Sequence, residues 1–159
     1  MMIILFFIAF VCIFMLVSDI KVLEISDDLQ FVFLFLNILY VCFKDGNLFK
    51  NLLMGFAGAF VYFSFIVIIN VMVLSWKKKK GIGGADVKFI TFSGVTLGFL
   101  NVGYFFLIAG SIGYITAILW NKYKKQKQFP FSIGLVISYL TLMIMQFNQI
   151  TLSFHNMLQ

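Results

Sequence analysis

The chain has 159 residues, of which 62% are hydrophobic and only 11% carry a charge. Soluble domains average about 25% charged residues, so this composition excludes an ordinary soluble protein and indicates a single membrane-embedded domain over residues 1–159. The net charge of +6 comes from twelve lysines in short connections between apolar segments, a distribution that argues against a nucleic-acid-binding surface.

Six apolar segments predict six transmembrane helices, and therefore an all-α, polytopic membrane fold. The first segment lacks the basic start and small-residue cleavage site of a signal peptide, so we expect a retained helix. The second and fourth segments are shorter than the ~20 residues that span a bilayer, so we expect them to stop at the interface or to border a cavity. In chain order, the segments cover residues 1–18, 29–43, 52–75, 87–100, 102–120 and 130–147.

The placement of the lysines predicts the orientation of the helices. Ten of the twelve lysines fall on one side of the membrane, and only Lys44 and Lys50 fall on the other. Because cytoplasmic loops carry the excess of lysine, we expect an outside N-terminus in a multi-pass protein of the cell membrane. Asp19 and Asp86 both fall on the predicted cytoplasmic side.

Asp19 and Asp86 are acidic residues at the ends of apolar segments. An ionisable group near hydrocarbon is costly unless it is paired, so its presence indicates a function. Taken singly, each has a simpler interpretation as a helix-terminal residue, with Asp86 as the N-cap of the fourth helix. Gly81, Gly83 and Gly84 favour the functional interpretation, because they permit positive φ and close packing, and a simple N-cap does not need three glycines in four residues.

Two carboxylates brought together by helix packing predict aspartyl protease chemistry. In a poorly solvated site the two groups cannot easily both ionise, so they share one proton. The ionised carboxylate then activates a water molecule, and the protonated one donates to the scissile carbonyl oxygen. This pattern leaves open which of Asp19 and Asp86 is the base. The only histidine, His155, is remote from both cysteines, so we expect no metal site and no cofactor.

Three stretches of the chain resemble the type IV prepilin peptidase family of intramembrane aspartyl proteases. Residues 83–88, Gly-Gly-Ala-Asp-Val-Lys, resemble its GxGD signature with the following Val and Lys. Residues 19–27 are similar to its first aspartate motif, in which Ile-Pro-Asn follows the aspartate. Residues 129–134 resemble a Pro-Phe-Gly-like start of the last helix. The matching residues that support the motif are Gly83, Gly84, Lys88, Ile25, Pro130 and Gly134.

The chain departs from the family pattern at three positions. Ala85 stands where the family has its second glycine, so we expect an α-region backbone there rather than a positive φ. Ser26 and Asp27 replace the proline and asparagine that follow Ile25 in the family. These two changes affect the shape of a loop and not the proposed catalytic groups.

The resemblance implies an endopeptidase that cuts the basic leader from prepilins and related pseudopilins at the cytoplasmic membrane face. It implies Asp19 and Asp86 as the catalytic pair, with prepilin-like membrane proteins and the bilayer as partners. The cysteines lack the paired CxxC motifs of the bifunctional members, so we expect the short peptidase-only form without N-methyltransferase activity.

The remaining charged residues near the motifs carry weaker expectations. The basic leader would be met by the acids Glu24, Asp27 and Asp28, although Asp27 or Asp28 is also interpretable as the N-cap of the second helix. Lys88 would either stabilise an ionised Asp86 or extend its ammonium group to the interface.

Two other classes of function are open to the sequence alone. A small transporter or channel could use the two aspartates to bind a cation or proton. A noncatalytic subunit of a pilus or secretion machine could keep the same motif as structure.

Overall fold

The computed structural model describes residues 1–22, 25–44, 47–77, 82–124 and 129–157, with side chains described as far as residue 148. These residues form six α-helices and one 3₁₀ turn, which confirms the prediction of an all-α fold. The helices are α1 (Met2–Val22), α2 (Asp27–Cys42), α3 (Leu48–Lys77), α4 (Gly84–Leu97), α5 (Val102–Lys124) and α6 (Ser132–Met157).

Three helical stretches are long and apolar enough to cross a membrane, namely Met2–Lys21, Leu48–Trp76 and Phe99–Tyr123. The apolar part of α6, Ser132–Asn148, is shorter. With 16 and 14 residues, α2 and α4 are also shorter than the ~20 residues of a full span. The two short helices are therefore those that the sequence predicts.

The short helix α4 lies at the centre of the bundle. It packs on α2, α3 and α6, while α1 bridges α2 and α6 and α5 packs on α6. The contact with α3 is in places backbone to backbone, since a Cβ atom on Gly94 would lie 2.8 Å from the carbonyl oxygen of Gly58. Small residues at such a crossing let two helices approach closely in a membrane. Its neighbours shield α4 from lipid, so a helix of this length is accommodated.

Buried aromatic and polar side chains join α2, α4 and α6. The rings of Phe33 and Phe89 stack with their centroids 4.8 Å apart, and Tyr139 meets Phe33 edge-on. One turn deeper, the side-chain oxygen of Asn37 accepts hydrogen bonds from the hydroxyl groups of Thr96 and Tyr139. This cluster holds the central helix in a defined register against two neighbours.

The break between α4 and α5 differs from the sequence-based boundary. The segment pattern predicts a fourth helix to residue 100, but α4 ends at Leu97 and Gly98 adopts a left-handed φ of 71°. Glycine alone takes this conformation without a steric penalty from Cβ. The side-chain amide of Asn101 then donates to the Leu97 carbonyl oxygen over 2.8 Å, which satisfies a helix-terminal acceptor.

Candidate active site

Asp19 lies on the buried face of α1, one turn before that helix ends. Helical spacing places it on the same face as Cys12 and Met15, both fully buried. The carboxyl-bearing residue is itself only 7% exposed. The helix continues four residues past the predicted segment, so Asp19 is part of the packed helix and not its terminal residue.

Asp86 lies in the first turn of α4 and is partly buried. The interpretation of Asp86 as an N-cap is wrong, because Gly83 is the N-cap and its carbonyl accepts the first helical hydrogen bond from Val87. A carboxylate in this turn still faces the positive end of the helix dipole. Ala85 is helical, which agrees with the α-region backbone that we expect at this position.

The two glycines before Asp86 border open space and not a neighbouring helix. Gly83 has φ −61° and ψ 146°, so the predicted positive φ does not occur there, and Gly81 lies outside the described residues. Among the described residues, a Cβ atom on Gly84 would meet nothing within 4 Å, and one on Gly83 would meet only the Asp86 carboxylate at 3.5 Å. The predicted close helix approach is therefore wrong at both positions. Their effect is to leave backbone uncovered beside the carboxyl group.

A cavity of about 570 Å³ brings the two aspartates together. Three stretches of chain surround it: the end of α1, the connection before α2 and the start of α4. Its lining residues are Asp19, Ile25, Ser26, Asp27, Gly83, Gly84, Ala85 and Asp86. A larger cavity of about 750 Å³ lies around Gly98 at the other end of α4, and none of its described lining residues is a carboxylate.

The two carboxyl groups are electrostatically coupled. Asp86 lies outside the three candidate spans, and its pKa is raised from 3.8 to about 7. Burial is the larger cause of this rise, and the negative charge of Asp19 is the smaller one. A desolvated carboxyl beside a second carboxyl keeps its proton near neutral pH, which is the electrostatic condition for a shared proton.

Lys88 pairs with Asp27 instead of with Asp86. Its ammonium nitrogen lies 2.7 Å from Asp27 Oδ1, and the two side chains are 45% and 64% exposed. The sequence predicts that Lys88 either stabilises Asp86 or extends to the interface, and neither prediction includes a contact with Asp27. The ion pair joins the starts of α2 and α4. The N-cap of α2 is Ser26, so the N-cap interpretation of Asp27 or Asp28 is wrong. Asp28 is exposed, and Glu24 lies outside the described residues.

A comparison with protein families assigns the chain. The model of the type IV leader peptidase family matches residues 6–118, which is more than half of the sequence. The chain belongs to the type IV leader peptidase family. No curated protein and no solved structure matches it. Family membership implies a peptidase that acts on prepilin-like substrates in a membrane, and the apolar helices agree with a membrane protein.

The family match covers the whole lining of the 570 Å³ cavity but not the third sequence motif. Ile25 is buried and lines the cavity. Pro130 is buried just before α6, and a Cβ atom on Gly134 would lie 2.6 Å from the Ala109 carbonyl oxygen of α5. In this leader peptidase family member, Gly134 therefore permits the close packing of α6 on α5.

Two polar residues near the site were not singled out from the sequence. The Asn70 side-chain oxygen of α3 accepts the backbone N–H of Ile82 over 3.1 Å. Gln30 of α2 is 1% exposed, and its amide atoms have no hydrogen-bond partner among the described residues. Their polarity was the signal in the sequence that could have identified them. Asn70 interrupts an apolar run, and Gln30 shares a helix face with the apolar Phe33.

Proposed function

We propose that the chain is an intramembrane aspartyl endopeptidase that removes the basic leader of prepilin-like or pseudopilin substrates at the cytoplasmic membrane face. The observation that carries this proposal is the shared cavity of Asp19 and Asp86 in a member of a peptidase family. Asp19 is near the end of α1 and Asp86 is at the start of α4, so both belong to the same end of the bundle.

The proposed chemistry starts from the raised pKa of Asp86. Burial raises the pKa of Asp86, so we assign the shared proton to Asp86 and the role of general base to Asp19. Asp19 takes a proton from water as its oxygen adds to the scissile carbonyl carbon, and Asp86 donates its proton to the carbonyl oxygen. When the tetrahedral intermediate collapses, the amine leaves with the proton from Asp19, and Asp86 recovers its own from the hydroxyl group.

The shape of the cavity suits an extended peptide. Its volume of about 570 Å³ exceeds that of a single side chain, and the uncovered backbone of Gly83 and Gly84 forms part of its wall. A substrate segment can therefore approach Asp86 without meeting a side chain on that wall. The apolar helix of the substrate would lie in the bilayer beside the bundle, with its basic leader at the face that carries Asp27 and Asp28.

Co-expression with a prepilin that carries a basic leader tests the proposal. Mass spectrometry of the substrate should show loss of the leader with the native chain. Asp19→Asn and Asp86→Asn should each lower the cleavage rate by about 10²–10⁴-fold, because each keeps the shape of the side chain and removes its proton chemistry.

Equal expression and equal thermal stability of the two variants are the necessary controls. Unchanged cleavage in either variant would contradict the dyad. Ion flux through reconstituted vesicles that depends on the two aspartates, without cleavage, would favour a transporter. Loss of pilus assembly in these variants without any cleavage by the native chain would favour an assembly subunit.

A further inference from the structure

The start of α4 determines where Asp86 lies, but its own N-cap residue offers little to hold it. Gly83 has no side chain, and no side-chain hydrogen bond caps the helix at this position. Glycines also give the preceding backbone more conformational freedom than other residues allow. A side chain from another part of the fold therefore has to fix the chain before Asp86.

Asn70 of α3 is in the right place to do so. It continues the buried row of Gly58, Tyr62 and Ile66, four residues apart along α3. The row begins where Gly58 touches the backbone of α4 and ends where Asn70 accepts the Ile82 N–H over 3.1 Å. Helix α3 thus contacts α4 at Gly58 and, through Asn70, holds the residue before the N-cap of α4.

The polar side chain of Asn70 also needs a hydrogen-bond partner. It lies in the candidate span Leu48–Trp76, where an amide without a hydrogen-bond partner is costly. The Ile82 N–H likewise precedes the helix and has no intrahelical acceptor. The bond between them satisfies the side-chain oxygen of Asn70 and the Ile82 N–H at the edge of the apolar region.

We propose that Asn70 is a positioning residue of the active site, which holds the Ile82 N–H and thereby sets the position of Asp86 opposite Asp19. This role rests on the proposed peptidase function. Asn70 touches neither the substrate nor the reacting atoms, and it acts through the backbone between Ile82 and Asp86. Displacing a catalytic group by about 1 Å can lower a rate by about 10²-fold, so one such bond is sufficient to matter.

The test compares the same substitution at the two ends of α4. Asn70→Leu removes the acceptor but suits an apolar helix, so the protein should still fold. Asn101→Leu is the matched control, because Asn101 is also partly buried and bonds one backbone group, the Leu97 carbonyl. Asn70→Asp keeps an acceptor oxygen in place and is the conservative variant.

We expect Asn70→Leu to lower kcat for leader cleavage by about 10–100-fold and to change KM by less than about threefold. Asn70→Asp should recover most of this loss, and Asn101→Leu should keep kcat within about threefold of the native chain. An equal loss in Asn70→Leu and Asn101→Leu would overturn the proposal, because both would then act through general stability.

Hydrogen exchange of the Ile82 amide supplies a readout that does not need cleavage. Asn70→Leu should speed its exchange by about tenfold or more, because the bond that protects it is lost, while Asn101→Leu should leave it unchanged. Unchanged exchange in Asn70→Leu would show that Asn70 does not hold Ile82. Absence of cleavage by the native chain would instead refute the peptidase function, whatever the exchange rates are.

Discussion

The ammonium group of Lys88 lies 2.7 Å from a carboxylate oxygen of Asp27, at the rim of the cavity that contains Asp86. Lys88 is only two residues beyond Asp86, yet its ammonium group pairs with Asp27 of α2. This ion pair ties the first turns of α2 and α4 and partly neutralises an acid that lines the cavity. A basic leader that approaches Asp27 has to compete with Lys88.

This competition predicts opposite effects for the two members of the pair. Lys88→Met should lower KM for a basic leader by up to about fivefold, since an exposed pair is worth at most ~1 kcal/mol. Asp27→Asn should raise KM, and kcat should change little in both variants. Steady-state cleavage of substrates with fewer leader lysines provides the measurement. A KM that is the same in all variants would show that Asp27 does not bind the leader.

The raised pKa of Asp86, about 7, predicts the pH dependence of cleavage. Below this pH the pair keeps its shared proton, and above it the proton is lost, so kcat/KM should fall as the pH rises beyond about 7. Rates measured between about pH 5 and 9 test this expectation. A constant kcat/KM across the alkaline half of this range would contradict a shared proton at Asp86.

The same shift predicts how the stability of the fold depends on pH. Because the pKa of Asp86 is about 7 in the folded state and 3.8 ordinarily, the folded state binds this proton more tightly. The stabilisation is complete below about pH 4 and is lost as the pH rises through about 7. The free energy of unfolding of Asp86→Asn, relative to the native chain, should therefore increase over this interval and level off above it. Thermal unfolding in detergent micelles at several pH values measures the difference.

The crossing of α3 and α4 predicts a strong effect of one added methyl group. Gly94→Ala would place Cβ 2.8 Å from the Gly58 carbonyl oxygen, so the helices must separate, at a cost of about 1–3 kcal/mol or more. Gly110→Ala is the control, because its Cβ would meet nothing within 4 Å. Its helix should be unchanged or stabilised by about 0.5–1 kcal/mol. Similar melting temperatures for the two variants would contradict the observed crossing.

The hydrogen bonds to Asn37 predict a graded loss of stability. Tyr139→Phe removes one donor and should lower the free energy of unfolding by about 1 kcal/mol. Asn37→Leu should cost more, because the buried hydroxyl groups of Thr96 and Tyr139 then lose their acceptor. Unfolding of the single and double variants measures the coupling. If Asn37→Leu is no less stable than Tyr139→Phe, these bonds do not stabilise the bundle.

Much of the helix content could be predicted from the sequence for a local reason. In a bilayer each segment has to satisfy its backbone hydrogen bonds internally, so every long apolar run becomes a helix. All six predicted segments correspond to helices, including the two short ones. The ends were less predictable, because α1 continues to Val22, beyond the apolar run, and α4 stops at Gly98 through a backbone conformation that composition does not reveal.

The candidate site was only partly predictable from the sequence. Asp19 and Asp86 stood out as acids at the ends of apolar runs, and both line one cavity. The partners of Lys88 and Asn70 were not predictable, because each contact joins residues on different helices. Sequence spacing specifies neighbours within one helix, but carries no information about which helix lies opposite.

The sequence by itself determined that this protein is an all-helical membrane protein with two candidate aspartates, because apolar run length and isolated charges are local properties. Only the tertiary structure decided that α4 is the central helix, that Gly83 and Gly84 border open space, and that Asn70 holds the residue before them. Most positions of these helices are apolar, so the hydrophobic pattern gives little indication of which side points inward. The packing of side chains and glycines across helices makes that choice.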